Sequence, residues 1–266
     1  MTRRVGVAAF SGWGDAGESS TNALHALLEA FPAVHVATIE SERFVDFQVH
    51  RPLVSLDETG VRELTWPDSN VWIVQEPSQE FVVVTGHEPN FGWKAFVEEL
   101  LGHFADLGVD RLVTLGAFAG QVPHTAPVPM IGSGTDLGEI EALDLVSSSY
   151  EGPTGIVGVL NALAAHAGLS VLSIWAAVPH YLSTQDYPPG ALALLEKLNS
   201  VLDIAVDTAA YFESAAAYRR DVDAAVSQSE IKEYVQGLEA ESLTGDSDAD
   251  PAGQLVEEIE RYLNDG

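Results

Sequence analysis

Residues 5–31 read VGVAAFSGWGDAGESSTNALHALLEAF, and this stretch decides the fold class. It opens with an apolar run at residues 5–10, passes through a turn rich in glycine, and continues with Leu24, Leu27 and Leu28 at helical spacing. A strand, a tight turn and an amphipathic helix in that order form the repeating unit of α/β proteins. We therefore expect a sheet that is covered by helices.

The same alternation continues to about Leu202 and predicts a largely parallel sheet. Further strands are predicted at residues 34–39, 71–75, 81–85, 111–115 and 171–178, and helices at 18–31, 91–107, 154–167 and 189–202. We expect Gly108 to end the second helix and Thr154 to cap the third. A weaker pattern between Leu53 and Trp66 predicts one or two edge strands joined by a turn at residues 57–60.

The composition changes at Asp203, and residues 203–266 hold sixteen acidic residues against four basic ones. We predict an α/β domain at residues 1–205, a helical extension at 206–241, and an acidic linker with a short terminal helix at 242–266. The packing face of the extension is predicted to hold Tyr211, Phe212, Ala215 and Tyr218. This acidic region is interpreted either as a solvated tail or as a docking arm for a partner.

Charge and cysteine content exclude several classes of function. The formal charge is −28 and the isoelectric point is about 4.3, so nucleic acid and membrane surfaces are predicted to be poor partners. The absence of cysteine removes disulfides, thiol nucleophiles and cysteine zinc sites. The eight histidines show no helical metal-ligand spacing, so we predict no metal and no cofactor. A cytoplasmic location is expected, because no stretch is long and apolar enough to cross a bilayer.

The turn at residues 12–17, GWGDAG, matches the G-x-G-x-x-G pattern and has two interpretations. It is a dinucleotide-binding turn, or its small residues allow a tight turn and close packing of the helix. Asp15 places a carboxylate where a pyrophosphate would lie, and Trp13 fills space in the same turn. The second interpretation is therefore favoured.

Four motifs resemble, in order, the proteasome assembly chaperone family of the second-subunit type, in its actinobacterial branch. They are residues 11–17 (SGWGDAG), 44–52 (FVDFQVHRP), 86–90 (GHEPN) with Trp93 and Phe96, and 150–155 (YEGPTG). The resemblance spans about residues 3–205. It implies a phosphorylase/hydrolase-like, three-layer α/β/α sandwich, formation of homo-oligomers, and no established catalytic residues.

Polar residues are predicted to gather at the carboxyl edge of the sheet, where strands of a parallel sheet end together. The candidates for a ligand or partner site are Trp13, Asp15, His87, Glu88, Asn90, His180 and Tyr181, beside a glycine-flanked segment at 116–120. Asp15 and Glu88 would act as paired carboxylates with His87 or His180 as a base. Alternatively, Asp15, which precedes a predicted helix, and Asn90, which begins one, would serve as helix N-caps or turn formers. The helix start at 152–155 would bind an anion or be capped by the chain itself.

The sequence thus favours a chaperone-like or scaffold protein that binds other proteins as a homo-oligomer, with a trimer favoured. Its predicted partners are further copies of itself and proteasome-related or other proteins. Five aromatic residues in predicted loops support self-association, since a monomer would expose them: Trp13, Phe44, Phe47, Phe91 and Phe118. The alternative is a binder or enzyme that acts on a small nucleotide- or nucleoside-like ligand at the carboxyl edge.

Overall fold

The computed structural model describes residues 4–229 and 231–244. Its strands are β1 (Arg4–Ser11), β2 (Ala33–Ile39), β3 (Leu53–Leu56), β4 (Arg62–Thr65), β5 (Ser69–Gln75), β6 (Glu80–His87), β7 (Val109–Gly120), β8 (Met130–Gly134), β9 (Val146–Ser147) and β10 (Ser170–Pro179). Its helices are α1 (Ser19–Ala30), α2 (Trp93–Leu107), α3 (Leu137–Ala142), α4 (Ile156–His166), α5 (Pro188–Leu202), α6 (Ala209–Ser227) and α7 (Lys232–Thr244). Every main strand and helix that the sequence predicts is confirmed.

Eight strands form one sheet in the order β2-β5-β6-β1-β7-β10-β8-β9. The four central strands, β6, β1, β7 and β10, are parallel. Antiparallel pairs flank them, between β2 and β5, β5 and β6, and β10 and β8. The predicted parallel sheet is therefore confirmed at the centre, and the site residues that follow β1 and β6 lie on the same edge.

The two faces of the sheet carry two separate cores, because side chains alternate along each strand. On β1, Val7 and Ala9 face the core that α1 and α5 cover, whereas Ala8 and Phe10 face the core beneath α2 and α4. All four side chains are buried. This arrangement is the predicted three-layer α/β/α sandwich.

Two helices, α2 and α4, begin two residues later than the sequence predicts. Helix α2 begins at Trp93, because Gly92 adopts a left-handed conformation with φ of 64°. Helix α4 begins at Ile156 after Gly155, and no side chain of the N-cap residue closes it, so the predicted cap by Thr154 is wrong. Gly108 has φ of 73° and ends α2 as predicted.

The segment between Leu53 and Trp66 forms strands, but they are not edges of the main sheet. Strands β3 and β4 pair with each other in a separate two-stranded sheet. Their turn is fixed by Asp57, whose carboxylate accepts the N–H groups of Thr59 and Val61 at 2.8 Å each. All eight residues of the two strands are exposed. We call residues 53–65 the hairpin arm.

Strand β7 continues through the segment 116–120, which the sequence analysis treats as a glycine-flanked loop. The indole of Trp175 lies against Gly116, where an added Cβ would stand 2.5 Å from the ring. Gly116 therefore provides space for a neighbouring tryptophan within the sheet. Phe118 is buried in the same strand.

The helical extension packs on the sandwich through part of the predicted face. Ala215 is buried and Tyr218 is partly buried against the core, whereas Phe212 is 63% exposed, so its assignment to that face is wrong. Helix α7 runs through Thr244 into the predicted linker. The rest of the linker and the predicted terminal helix lie outside the described residues. No helix in the described part of the chain has the length and apolarity needed to span a membrane.

Candidate functional site

The ends of β1 and β6 bring the first and third motifs together. Ser11 and His87 are opposite each other in the parallel register, and the N–H of Glu88 donates to the carbonyl of Ser11 at 2.8 Å. The residues that follow, from Gly12 on one side and from Glu88 on the other, therefore leave the sheet side by side. This is the carboxyl edge that the sequence predicts.

Glu88, in the third motif, bonds through one carboxylate to the first motif and to the residue that directly follows the fourth motif. Its Oε1 accepts the N–H of Ile156 at 2.8 Å, and its Oε2 accepts the N–H of Trp13 at 3.2 Å. A negative charge at the beginning of α4 is favourable, because the first backbone N–H groups of a helix have no partner within it. The helix start that the sequence offers to an anion is therefore occupied by the carboxylate of Glu88.

Asp15 serves a similar purpose at α1. It is 6% exposed, and its Oδ1 accepts the N–H of Ser20 at 2.7 Å and the hydroxyl of Ser20 at 2.6 Å. Oδ1 and Oδ2 also accept the N–H and hydroxyl of Thr21. Backbone donors at the start of α1, which a dinucleotide phosphate would need, are therefore bonded to Asp15.

Two glycines of the same turn are explained by close packing, since a side chain at either position would contact a neighbouring ring or backbone. Gly17 has φ of 61°, and a Cβ there would stand 2.5 Å from the Cβ of Tyr187. A Cβ on Gly14 would stand 3.1 Å from the ring of Trp175. These contacts support the interpretation as a tight turn that packs closely against its neighbours. Asp15 thus bonds to the start of α1, as the cap interpretation expects for this residue, whereas Glu88 bonds to the start of a different helix, α4.

Asn90 connects the second and third motifs. Its side-chain Oδ1 accepts the N–H of Asp46 at 2.8 Å, and its own N–H donates to the carbonyl of Phe44 at 2.8 Å. The predicted role of Asn90 at the start of a helix is therefore wrong, since α2 begins three residues later and Asn90 bonds to a separate loop. The side chain fixes the loop at residues 44–50 against the loop that follows β6.

His87 contacts Ser11 and His50. The Ser11 hydroxyl lies 2.6 Å from Nδ1 of His87, and the His50 ring stacks on the His87 ring with centroids 4.5 Å apart. Burial, and secondarily the charge of a protonated His50, lower the pKa of His87 below its usual 6.5. The neutral imidazole is therefore favoured at neutral pH.

His180 and Tyr181 belong to a second cluster, where the sandwich meets the helical extension. Rings of His180, Tyr181 and Tyr234 pack edge to face. His124, which is 1% exposed, lies between the Tyr181 hydroxyl at 2.7 Å from Nδ1 and Asp223 at 3.0 Å from Nε2. The proline-containing loop at 123–129 is thereby fixed to α6.

Three exposed apolar side chains belong to the segments that Glu88 and Asn90 connect, namely the turn at residues 12–17, the loop at 44–50 and the loop that follows β6. Trp13 is 52% exposed, Val49 is 62% exposed and Phe91 is 55% exposed. We call these residues, together with the segment 87–90, the motif face. The cavity beneath it, between Glu88, Gly155 and Trp175, holds about 10 Å³, which is at the lower limit for one water molecule.

The five aromatic residues used to predict self-association have different environments. Trp13 and Phe91 are exposed as expected, whereas Phe44 and Phe118 are buried. Phe47 is partly buried and packs against Trp66 at a centroid distance of 5.2 Å. The prediction that all five would be exposed in a monomer is therefore wrong, because Phe44 inserts beneath α2 and Phe118 belongs to β7.

Sequence reasoning did not select His50, His124 or the backbone N–H of Ile156. The position of His50 within the second motif could have indicated it as a site residue. Its stacking on the ring of His87 depends on the fold and could not be predicted from spacing. No group of three potential metal-ligating side chains is found within residues 4–229 and 231–244. The site as described consists of an exposed apolar surface over an internally bonded framework.

With this geometry established, comparison with known proteins identifies the family. A family model described as "PAC2 family" matches residues 9–226. The chain belongs to the PAC2 family. The four motifs that meet around Glu88 and Asn90 all lie within the matched residues of this PAC2 chain.

Solved structures agree with the family and the fold. A PAC2 family protein from Streptomyces avermitilis is 41% identical, with a TM-score of 0.79 over 87% of this chain and 99% of that chain. A proteasome-assembly chaperone homologue from Mycobacterium tuberculosis is 36% identical, with the same TM-score and coverage. An archaeal proteasome activator from Pyrococcus furiosus is 17% identical, with a TM-score of 0.66 over 84% of this chain and 93% of that chain, and shares the fold. No match was found among curated proteins.

Proposed function

We propose that this PAC2 chain is a cytoplasmic, chaperone-like protein that binds other proteins through the motif face and acts as a homo-oligomer, with a trimer favoured. The proposed partners are proteasome subunits, in line with the chaperone homologue from Mycobacterium tuberculosis at 36% identity. The observation that carries the proposal is the motif face itself. Trp13 and Phe91 stay exposed while Glu88 and Asn90 bond to the surrounding backbone.

Exposed aromatic side chains on a fixed backbone are the usual anchors of protein interfaces. Trp13 lies within the turn at residues 12–17 and donates its own N–H to Glu88, and Phe91 donates its N–H to the carbonyl of Phe44 at 3.0 Å. These anchors lose little backbone freedom when a partner covers them, which favours binding. The site is therefore better suited to a protein surface than to a small ligand that requires a cavity.

The test is binding of the full chain to a purified actinobacterial proteasome α subunit, measured by biolayer interferometry. We expect saturable binding that the Trp13→Ala and Phe91→Ala double variant weakens at least about tenfold, as expected for interface anchors. Phe212→Ala is the matched control, because Phe212 is 63% exposed on the helical extension. Absence of binding by the unmodified chain, or equal weakening by the control, would overturn the proposed partner site.

A further inference from the structure

Three aromatic rings meet where the sandwich joins the helical extension. His180 and Tyr181 lie in the short helical turn that follows β10, and Tyr234 lies on α7. The ring centroids are 5.4, 5.5 and 6.5 Å apart. Each ring plane is nearly perpendicular to the other two, with interplanar angles of 88°, 88° and 90°. We call these three residues the aromatic corner.

The aromatic corner has the geometry of a cation site. Three mutually perpendicular rings form the inside corner of a box, so a group placed over the three centroids faces every ring. Such a group lies within about 6 Å of all three centroids, the range over which the negative face of an aromatic ring attracts a cation. Tyr234 is 43% exposed and the other two residues are partly exposed, so the trio is accessible from solvent.

The rings are fixed by contacts on their buried side. The Tyr181 hydroxyl accepts the N–H of His124 at 3.0 Å and lies 2.7 Å from Nδ1 of the same residue. Nε2 of His124 lies 3.0 Å from Asp223 on α6. Val235, next to Tyr234, is buried and anchors α7 on the molecule. A site that is ordered before it binds loses little conformational entropy when a ligand enters.

Two carboxylates make the surroundings of the aromatic corner negative. The side chain of Asp223 is 56% exposed, and Glu239 accepts the hydroxyl of Thr125 at 2.7 Å. Burial raises the pKa of the Tyr181 hydroxyl, and the negative charges of Glu239 and Asp223 raise it further. Within residues 4–229 and 231–244, neither carboxylate forms an ion pair with a lysine or an arginine. The negative field is therefore not offset by a resident lysine or arginine.

The chemistry of the aromatic corner favours a cation without N–H donors. A lysine ammonium carries three donors and an arginine guanidinium carries five, and each needs an acceptor when it leaves water. Asp223 and Glu239 are already bonded to His124 and Thr125, and the rings offer faces rather than acceptors. A quaternary ammonium group has no donor to satisfy, and aromatic faces stabilise it by cation–π attraction.

We propose that the aromatic corner binds a quaternary ammonium group, carried either by a free molecule such as choline or by a trimethylated lysine side chain. The group sits against the three rings, and Asp223 and Glu239 supply the negative field. The formal charge of −28 adds a general attraction for cations. The aromatic corner shares no residue with the motif face, so the inference does not depend on the proposed function.

The first experiment is calorimetric titration of the full chain with choline and with its neutral isostere, in which a tert-butyl group replaces the trimethylammonium group. We expect choline to bind with a dissociation constant below about 5 mM. The isostere should bind at least about tenfold more weakly, because it has the same shape without the charge. Equal binding of the two, or no saturable binding of choline up to about 20 mM, overturns the inference.

A peptide with one trimethyllysine distinguishes the two sources of the ammonium group. If it binds more tightly than choline, and at least about tenfold more tightly than the same peptide with unmodified lysine, the ligand is a protein side chain. If choline binds at least as tightly as the peptide, the ligand is a free molecule. Either result supports the aromatic corner as a quaternary ammonium site.

The second experiment locates the site with two substitutions at one position. Tyr234→Phe keeps the ring and should bind choline within about twofold of the unmodified chain, whereas Tyr234→Leu removes the ring and should weaken binding at least about tenfold. Phe212→Leu is the control, because it removes a 63% exposed ring elsewhere on the extension. Unchanged binding by Tyr234→Leu, or equal weakening by the control, overturns the assignment. Thermal melting should be similar for all three variants, since both positions are exposed.

A third comparison tests the carboxylates. Glu239→Gln keeps an oxygen that can accept the bond from Thr125 but removes the charge. It should weaken choline binding about two- to fivefold at about 0.05 M salt, and the difference should shrink at about 0.5 M salt because ions screen the charge. Glu98→Gln removes an exposed charge on α2 and should leave binding unchanged. Equal effects of the two substitutions contradict a local negative field at the aromatic corner.

Discussion

Gly155 lies directly beside the carboxylate of Glu88, and a Cβ on Gly155 would stand 2.7 Å from Oε1 of Glu88. The same Cβ would stand 3.1 Å from the indole of Trp13. A glycine at the start of α4 therefore allows the carboxylate to reach the N–H of Ile156. This close approach connects the fourth motif with the first and third.

Gly155→Ala should destabilise the protein by about 1 to 3 kcal/mol, because either the carboxylate or the indole must move. Gly102→Ala is the matched control, since Gly102 lies within α2 and a Cβ there meets nothing within 4 Å. That control should be neutral or stabilise by up to about 1 kcal/mol through helix propensity. Urea unfolding measures both, and equal effects would contradict the close approach.

Glu88→Ala should cost about 2 kcal/mol of unfolding free energy, because the N–H groups of Trp13 and Ile156 both lose their acceptor. Glu88→Gln retains one acceptor oxygen and should cost about half as much. Glu98→Ala is the control, as Glu98 is exposed on α2. A loss below about 0.5 kcal/mol for Glu88→Ala would show that water replaces the carboxylate without cost.

Asp15 leads to a prediction about nucleotides. Because Asp15 is bonded to donors at the start of α1, NAD and ATP should bind with dissociation constants above about 100 μM, or weaker than about −5.5 kcal/mol. Isothermal titration calorimetry measures this directly. Tighter binding would favour the alternative, in which the protein binds or acts on a small nucleotide- or nucleoside-like ligand. Asp15→Asn should lower the free energy of unfolding less than Asp15→Ala does, since the amide oxygen of asparagine still accepts a hydrogen bond from the start of α1.

Stability should depend on pH through His87. Its pKa is lowered by burial and by His50, so the unfolded state takes up a proton more readily than the folded state. The stabilisation that the neutral His87 provides is therefore fully present above about pH 6.5. It is lost as the pH falls from there through the pKa that His87 has in the folded protein. His87→Gln should flatten the dependence between about pH 7 and pH 5, relative to an otherwise equal His25→Gln control. Parallel curves for the unmodified chain and His87→Gln would contradict this.

Two truncations test the domain boundaries. A chain that ends at Thr244 keeps α6 and α7 and should melt within a few degrees of the full chain, which corresponds to about 1 kcal/mol. A chain that ends at Asp207 removes both helices. It should melt more than about ten degrees lower, because it uncovers His124 and Tyr187, which are 1% and 2% exposed. Equal melting of the two chains would show that the extension is independent of the sandwich.

Much of the fold follows from short-range patterns in the sequence. The alternation of apolar strands and amphipathic helices predicts a largely parallel sheet that is covered by helices, because each face of a buried strand must pack against a further layer. The three-layer arrangement is what the family resemblance implies. The position of Asp15 before α1 predicts its capping role, since caps act within a few residues. Gly108 as a helix end is predicted for the same reason.

The tertiary structure decides what depends on partners distant in the sequence. Glu88 accepts a bond from Ile156, 68 residues later, and this contact replaces the predicted Thr154 cap. The exposure of Phe91 and the burial of Phe44 depend on which side of a loop faces α2. The separation of the hairpin arm from the main sheet likewise depends on which strand occupies each edge. Such contacts are selected by the packing of the whole chain, which local spacing does not encode.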